Sequence, residues 1–250
     1  GYNIIFGTTF GYLDAMAEMA EEYPDVIFLH CSGYLKNDTN FGNYFGKMYQ
    51  PRYLSGLAAG AMTESNKIGY VAAFPIPEVI RGINAFATGV KEVNPDATVE
   101  VVWTFTWFGP EAETQAANAL LETGVDVLAQ HQDSPSTGIA AEAAGAKWIS
   151  YNTAYGQDAA PGAFVTAPVW DWGPYYVQVV ESIVNDEFVA EAYWGGMETG
   201  LVSLYELSSD VPADTATLIS ERTEEIISGS FDPPIVEDEF IDNVIGTVNP

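Results

Sequence analysis

Cations are scarce in this chain: 8 Lys and Arg stand against 35 Asp and Glu in 250 residues, a formal net charge of −27. A surface of that sign repels nucleic-acid phosphates and anionic headgroups, which excludes both as partners. The carboxylates are scattered and not gathered in one tail. That pattern suits a salty medium, where counterions screen self-repulsion, although ordinary solubility would also account for it. A single cysteine, Cys31, leaves no internal disulfide to form. Two histidines add little toward a transition-metal site. His131 and Asp133 share a strand face in QHQDSP but fall short of three or four ligands, so neither metal nor cofactor is expected. No stretch approaches the ~18 consecutive apolar residues of a membrane span, and no GxSxG nucleophile elbow occurs.

What is present is a large apolar complement, 48% of residues, in an alternating order of strands and helices. Lys67 to Phe86, KIGYVAAFPIPEVIRGINAF, is the organising stretch. Its apolar run Ile68 to Phe74 reads as a buried strand, and Pro75 and Pro77 mark a turn. Val79, Ile80, Ile83, Phe86 and Val90 then recur at helical spacing. The loop lies at the strand's carboxyl end, where open α/β sheets bind ligands. It lacks GxGxxG and GxxxxGK[ST], so no dinucleotide or P-loop site is indicated there.

Further strands are read at 2–6, 26–30, 44–46, 98–104, 125–130, 147–151 and 164–167. Helices are read at 13–22, 49–62, 110–123, 134–144, 173–185 and 214–228. Alternation of this kind predicts parallel sheets with helices on both faces. After Asn185 the pattern changes to two short strands within 193–207, a helix and a tail. The chain opens at Gly1 directly in a strand pattern, which reads as a fragment lacking an amino-terminal part.

Aromatic residues collect at predicted strand ends: Phe10, Tyr12, Tyr34, Tyr49, Phe74, Trp107, Phe108, Tyr151, Tyr155, Trp170, Trp172 and Trp194. Polar partners stand near them at Asp14, Asp133, Asn152 and Asp171. Ring faces with a few convergent polar groups suit a planar organic ligand, and core packing is the plainer use of any single ring. For Asp133 two roles are open. Its carboxylate either caps a helix beginning near Ser134 or faces a ligand as a hydrogen-bond acceptor.

Across nearly its whole length the chain resembles the basic membrane protein (BMP) family of ABC-importer substrate-binding proteins, which includes purine nucleoside receptor lipoproteins. The resemblance rests on IIFGTTFGYLDAM, YFGKMYQPRYLSGLAAGAMT, NKIGYVAAFPIPEVIRGINAFATGV, DVLAQHQDSP, APVWDWGPYY, YWGGMETGLVSL and IISGSFDPPI, in this order and spacing. It implies a type I periplasmic binding protein fold, two doubly wound parallel-sheet lobes joined by crossovers, with ligand clamped in the cleft. Lobe one would comprise 1–46 and 167–187, with its amino-terminal part missing. Lobe two would comprise 47–166, and 188–250 would supply crossover strands and a helix packing on the lobes.

The family's base-stacking Phe matches Phe10. Its polar position before the Gly-rich helix is occupied by Met48 or Tyr49, its Gly pair by Asp133 and Ser134, its aspartate by Asn152 and its Lys by Trp170. The implied ligand-binding set is Phe10, Tyr12, Tyr49, Trp107, Asp133, Asn152, Trp170 and Trp172. Loss of charged and polar contacts with gain of rings favours a purine base, adenine first, over a nucleoside.

The expected function is therefore the extracytoplasmic binding component of an ABC importer. It would be periplasmic or extracellular, monomeric, partnered by permease subunits, and tied to the membrane only through a lipid anchor outside this chain. The alternatives are a ligand-sensing receptor module and an enzyme of nucleoside or sugar metabolism. No nucleophile–base set supports the enzyme.

Overall fold

The computed structural model describes residues 1–248, which divide into two units: Gly1–Lys47 with Asp171–Leu201, and Met48–Trp170 with the chain from Val202 onward. In unit 1, β1 (Ile4–Gly7), α1 (Leu13–Glu22), β2 (Ile27–Cys31) and β3 (Phe41–Gly46) come first. Unit 2 then runs α2 (Tyr49–Met62), β4 (Lys67–Ala72), α3 (Pro77–Val93), β5 (Thr98–Trp103), α4 (Pro110–Glu122) and β6 (Val127–His131). It continues through α5 (Ser136–Ala144), β7 (Lys147–Ile149), α6 (Gly156–Ala159), β8 (Phe164–Thr166) and β9 (Pro168–Trp170). The chain returns to unit 1 for α7 (Gly173–Val184) and β10 (Ala192–Gly195), then to unit 2 for β11 (Val202–Leu204), α8 (Ala213–Ser228) and β12 (Val244–Ile245).

Each unit is built on a parallel sheet, as the alternation predicts: β1-β2-β3-β10 in unit 1 and β12-β5-β4-β6-β7-β8 in unit 2. The exception is the two-stranded antiparallel ribbon of β9 and β11. Residues 167–170 were expected in lobe one. They belong to unit 2, where β9 pairs with β11 and Asn152 bridges Val169. Likewise 188–250 is not one appendage, because its first part supplies β10 to unit 1 and the rest belongs to unit 2.

The centre of unit 2 is β4, flanked by β5 and β6, and its Ile68 to Ala72 are buried. Helix α2 explains its own composition: every residue from Tyr49 to Gly60 is buried, so small side chains are needed to admit neighbours. A Cβ built at Gly56 would run into the Phe86 carbonyl oxygen on α3, and one at Gly89 into the Tyr53 carbonyl oxygen on α2. The two helices therefore touch backbone to backbone. On the other side of the sheet Trp148, Leu128, Leu120 and Phe164 form the core under α4 and α5, with the Trp148 indole N–H donating to Gln130 Oε1 at 3.0 Å. The C-terminal segment is held by Asn84, whose amide donates to the carbonyls of Val236 and Glu239 at 2.8 Å each.

Candidate functional site

The loops leaving β4, β5, β6 and β7 open at the carboxyl ends of neighbouring strands, so the topology of unit 2 brings them together. After β4 the chain gives Phe74. After β5 it gives Thr104–Gly109, which stays attached to β4 through Thr104 N–H to Ala72 O and Phe105 N–H to Ala73 O, both 2.9 Å. Phe105 has φ 56°, a conformation a bulky side chain rarely adopts. It is held between that backbone bond and the edge of the Phe74 ring, 6.4 Å away. The loop after β6 is tied to this one by Asp133 N–H to Trp107 O at 3.0 Å. Trp107 and Asp133 are thus fixed relative to each other by main chain.

A row of rings follows. Phe74 lies 5.1 Å from Trp107, Trp107 6.0 Å from His131, and His131 4.6 Å from Tyr151, between centroids. Behind Tyr151 the guanidinium of Arg52 sits 3.9 Å from the ring centroid, a cation–π contact made by a wholly buried side chain of α2. Its Nη1 donates to Gln130 O at 2.7 Å, and the Tyr70 ring lies 5.6 Å away. In the first turn of α3, Glu78 Oε2 stands 3.4 Å from His131 Nε2. Burial lifts the Glu78 carboxyl from an ordinary 4.5 to about 7, against the pull of Arg81 and Arg52 and with a push from Asp133. Burial, then Arg52, holds His131 well below its usual range, so the imidazole is neutral at physiological pH.

The third component is polar. Asn152, at φ 69°, donates Nδ2 to Asp133 Oδ1 at 2.6 Å and accepts at Oδ1 from the Trp170 indole N–H at 3.1 Å. It therefore links Asp133 to Trp170 and orients both. Burial raises the Asp133 carboxyl, and the Asn152 N–H opposes that rise. The helix-capping role for Asp133 is overturned. Helix α5 starts at Ser136 with Pro135 in the cap position and no side-chain cap bond. Ser134 donates its hydroxyl to Glu113 and accepts from Ser136 N–H at 3.3 Å.

Unit 2 thus gathers Trp107, Asp133, Asn152 and Trp170 from the expected set. Tyr49 opens α2, where the sequence reading places it, is buried, and donates its hydroxyl to Asp232 Oδ2 at 2.7 Å beside Gln50. In unit 1, Phe10 and Tyr12 form a 3-10 turn after β1 and are 42% and 54% exposed. Trp172 precedes α7, with its ring 5.4 Å from Tyr44 and 6.4 Å from Tyr176, so part of its face packs within unit 1.

Sequence reasoning missed Arg52 and Glu78, and it weighed His131 only as a metal ligand. One signal was available: Arg52 is among just eight Lys and Arg residues, yet it lies in a helix rich in Gly and Ala. Among the described residues no group of three or more His, Cys, Asp and Glu is placed to hold a metal ion. No helix there is long and apolar enough to cross a membrane.

A family model described as ABC transporter substrate-binding protein PnrA-like matches residues 1–232. The chain is 46% identical over 230 residues to a putative ABC transporter glucose-binding protein of Haloferax volcanii, covering 92% of this chain and 58% of that protein. It is 37% identical over 238 residues to a purine-binding protein of Brucella abortus, covering 93% of this chain and 66% of that one. Among solved structures, an ABC transporter solute-binding protein from Aeropyrum pernix superimposes with a TM-score of 0.80 at 18% identity, over 95% of this chain and 79% of the other. The sheet order and this likeness together are the type I periplasmic binding protein fold.

Proposed function

Since the chain belongs to the PnrA-like family of ABC transporter substrate-binding proteins, we propose that it serves an importer as an extracytoplasmic receptor for a purine base, adenine before a nucleoside. The row Phe74–Trp107–His131–Tyr151 beside the Asp133 carboxylate carries this reading. A flat heteroaromatic ring gains area by stacking on such a face, and an ionised carboxylate accepts from an exocyclic amino group or ring N–H. Asp133 has one oxygen engaged by Asn152, and its other oxygen is the acceptor for the ligand. Trp170 borders the same polar corner, and Asn152 acts by orienting its two neighbours. Phe10, Tyr12 and Trp172 belong to unit 1. A permease is the partner such a receptor serves.

A sugar is the competing ligand, favoured by one observation: the 46% identical relative is described as a putative glucose-binding protein. Calorimetric titration with adenine, adenosine and glucose separates the readings. Adenine is expected to bind most tightly, and Trp107→Ala to weaken it by roughly 1–3 kcal/mol, as for removal of a base-stacking ring. Saturable binding of glucose with none of adenine would reject the purine assignment. Chemical turnover of adenosine would reject a receptor altogether.

A further inference from the structure

Glu78 lies outside the ring-and-carboxylate set that recognises the ligand, yet it occupies the same strand ends and meets one member of the ring row, His131. Glu78 opens the helix that follows β4, and His131 is the last residue of β6, the strand beside β4. The His131 ring is flanked by Trp107 and Tyr151, and its Nε2 meets Glu78 Oε2 at 3.4 Å. We propose that Glu78, in contact with His131, is the proton-linked residue of the ligand seat, so that binding of a ring on the part-exposed Trp107 is accompanied by proton uptake at this carboxyl.

The physical reason is the state of Glu78 before binding. Its side chain keeps 20% of its surface exposed while that of His131 keeps 4%, so water still reaches part of it. A flat ligand over the adjacent rings removes that water, and desolvation favours the uncharged form. The surroundings leave the carboxyl poised for this change. Arg52 from α2 and Arg81 on α3 favour the anion, while Asp133 from the loop after β6 disfavours it. Arg81 is itself engaged by Glu237 at 2.6 Å. Tyr70 of β4 and Tyr151 after β7 are phenols raised by burial and stay neutral. His131, held neutral, has no charge with which to keep Glu78 ionised. The carboxyl near 7 is therefore the group in this cluster that can change state around neutrality.

This inference rests on the seat being at these rings, and two measurements separate its failure from failure of the purine assignment. First, carbon-13 NMR of the glutamate carboxyls in the free chain follows Glu78 directly. A resonance titrating near neutrality and absent from Glu78→Gln is expected, and titration in the ordinary carboxylate range overturns the inference whatever binds. Second, calorimetry with adenine at pH 7 in buffers of different ionisation heat counts protons. Net uptake by the unmodified chain is expected, with affinity falling about three- to fivefold from pH 6 to pH 8, the effect of shifting one acid constant by up to about a unit. In Glu78→Gln the uptake and the slope should vanish. Adenine binding with no net uptake by the unmodified chain overturns the inference and needs no variant to fold. No adenine binding alongside a near-neutral titration sinks the purine assignment and the linkage to adenine, and leaves the poised carboxyl standing.

Discussion

Two regions of unit 2 a few residues apart in sequence are built on opposite terms. The α2–α3 layer is rich in glycine and alanine, pressed until backbone meets backbone at Gly56 with Phe86 and at Gly89 with Tyr53. The strand-end rim is aromatic and charged, and there Phe105 and Asn152 take left-handed backbone, Glu78 and Asp133 have raised acid constants, and Arg52 Nε and Nη2, Tyr70 Oη and His131 Nδ1 are buried without a hydrogen-bond partner among the described residues. Unsatisfied polar atoms and strained backbone cost stability and persist only where the surroundings over-determine them. The difference shows a division of labour: the helix layer supplies rigidity, and the rim uses it to hold groups in states that water would not leave them in. Arg52 belongs to both, since it grows from α2 and stacks on Tyr151.

The comparison is broken most severely from the layer side. Gly89→Ala places a methyl against main chain that cannot swing aside, so the helices must separate. Overpacking of this kind costs about 1–3 kcal/mol and sometimes more. The expected outcome is a marked fall in melting temperature, read by calorimetry. An unchanged melt would show that the layer is looser than its backbone contacts require.

From the rim side the largest effect falls on binding. Asp133→Asn removes an acceptor and adds a donor at the corner where Asn152 already donates. Adenine affinity should drop by about 1–3 kcal/mol, because a buried hydrogen bond is replaced by two facing donors. The melting temperature of the free chain should hardly move, since Asp133 caps no helix. Loss of stability with intact binding would return Asp133 to a structural role.

How far these regions were legible in the sequence follows the same division. Periodicity and small residues announced α2, α3 and β4, because burial of a helix face or a central strand imposes a pattern on every turn. Strand β3 was read as only 44–46, because its first half, Phe41–Asn43, carries Gly and Asn that pair with β2 for reasons no local pattern shows. Strands β9 and β12 went unread, since three and two residues are too few to show a period. At the rim, Trp107, Asp133 and Asn152 were singled out by their place after strands. The partnership of Arg52, Glu78 and His131 joins residues 26 and 53 positions apart, and it is created by β4 and β6 lying side by side. Tyr49 was read at the start of α2, where it lies, but its bond to Asp232 joins distant parts of the chain and leaves no local signal.

A smaller effect tests the rim against pH. Glu78 is lifted from 4.5 to about 7, so the folded chain holds this proton more tightly than the unfolded chain does. The associated stability is complete below the unfolded value and is lost as pH rises through the folded one. Asp133 and Glu113, also raised by burial, act in the same direction, while Asp242, held low by Lys91, acts against them at lower pH. The melting temperature should therefore decline between about pH 5 and 8, with Glu78 accounting for about 1–3 kcal/mol. Glu78→Gln should flatten that decline. Equal slopes in the two proteins would place the loss elsewhere.

The smallest effect probes the seam between the two regions. Gly82 lies in the middle of α3, on the same helix as Gly89, but faces the Arg52 side chain and not main chain. A Cβ there would meet Arg52 Cγ and Nε at 3.8 Å, ordinary van der Waals distance, so there is room for it. Alanine in place of glycine inside a helix lowers the entropy of the unfolded chain and is worth about 0.4–1 kcal/mol where the backbone is compatible. Gly82→Ala should accordingly raise the melting temperature by roughly 1–4 °C, given the entropy of unfolding of a chain of this size. Adenine affinity should stay the same, because the added methyl lies behind Arg52 and not among the rings. A fall in melting temperature would mean that Arg52 cannot tolerate a neighbour and that the tight layer extends to the rim. A rise accompanied by altered adenine affinity would mean that the position of Arg52 over Tyr151 is read directly by the bound ring.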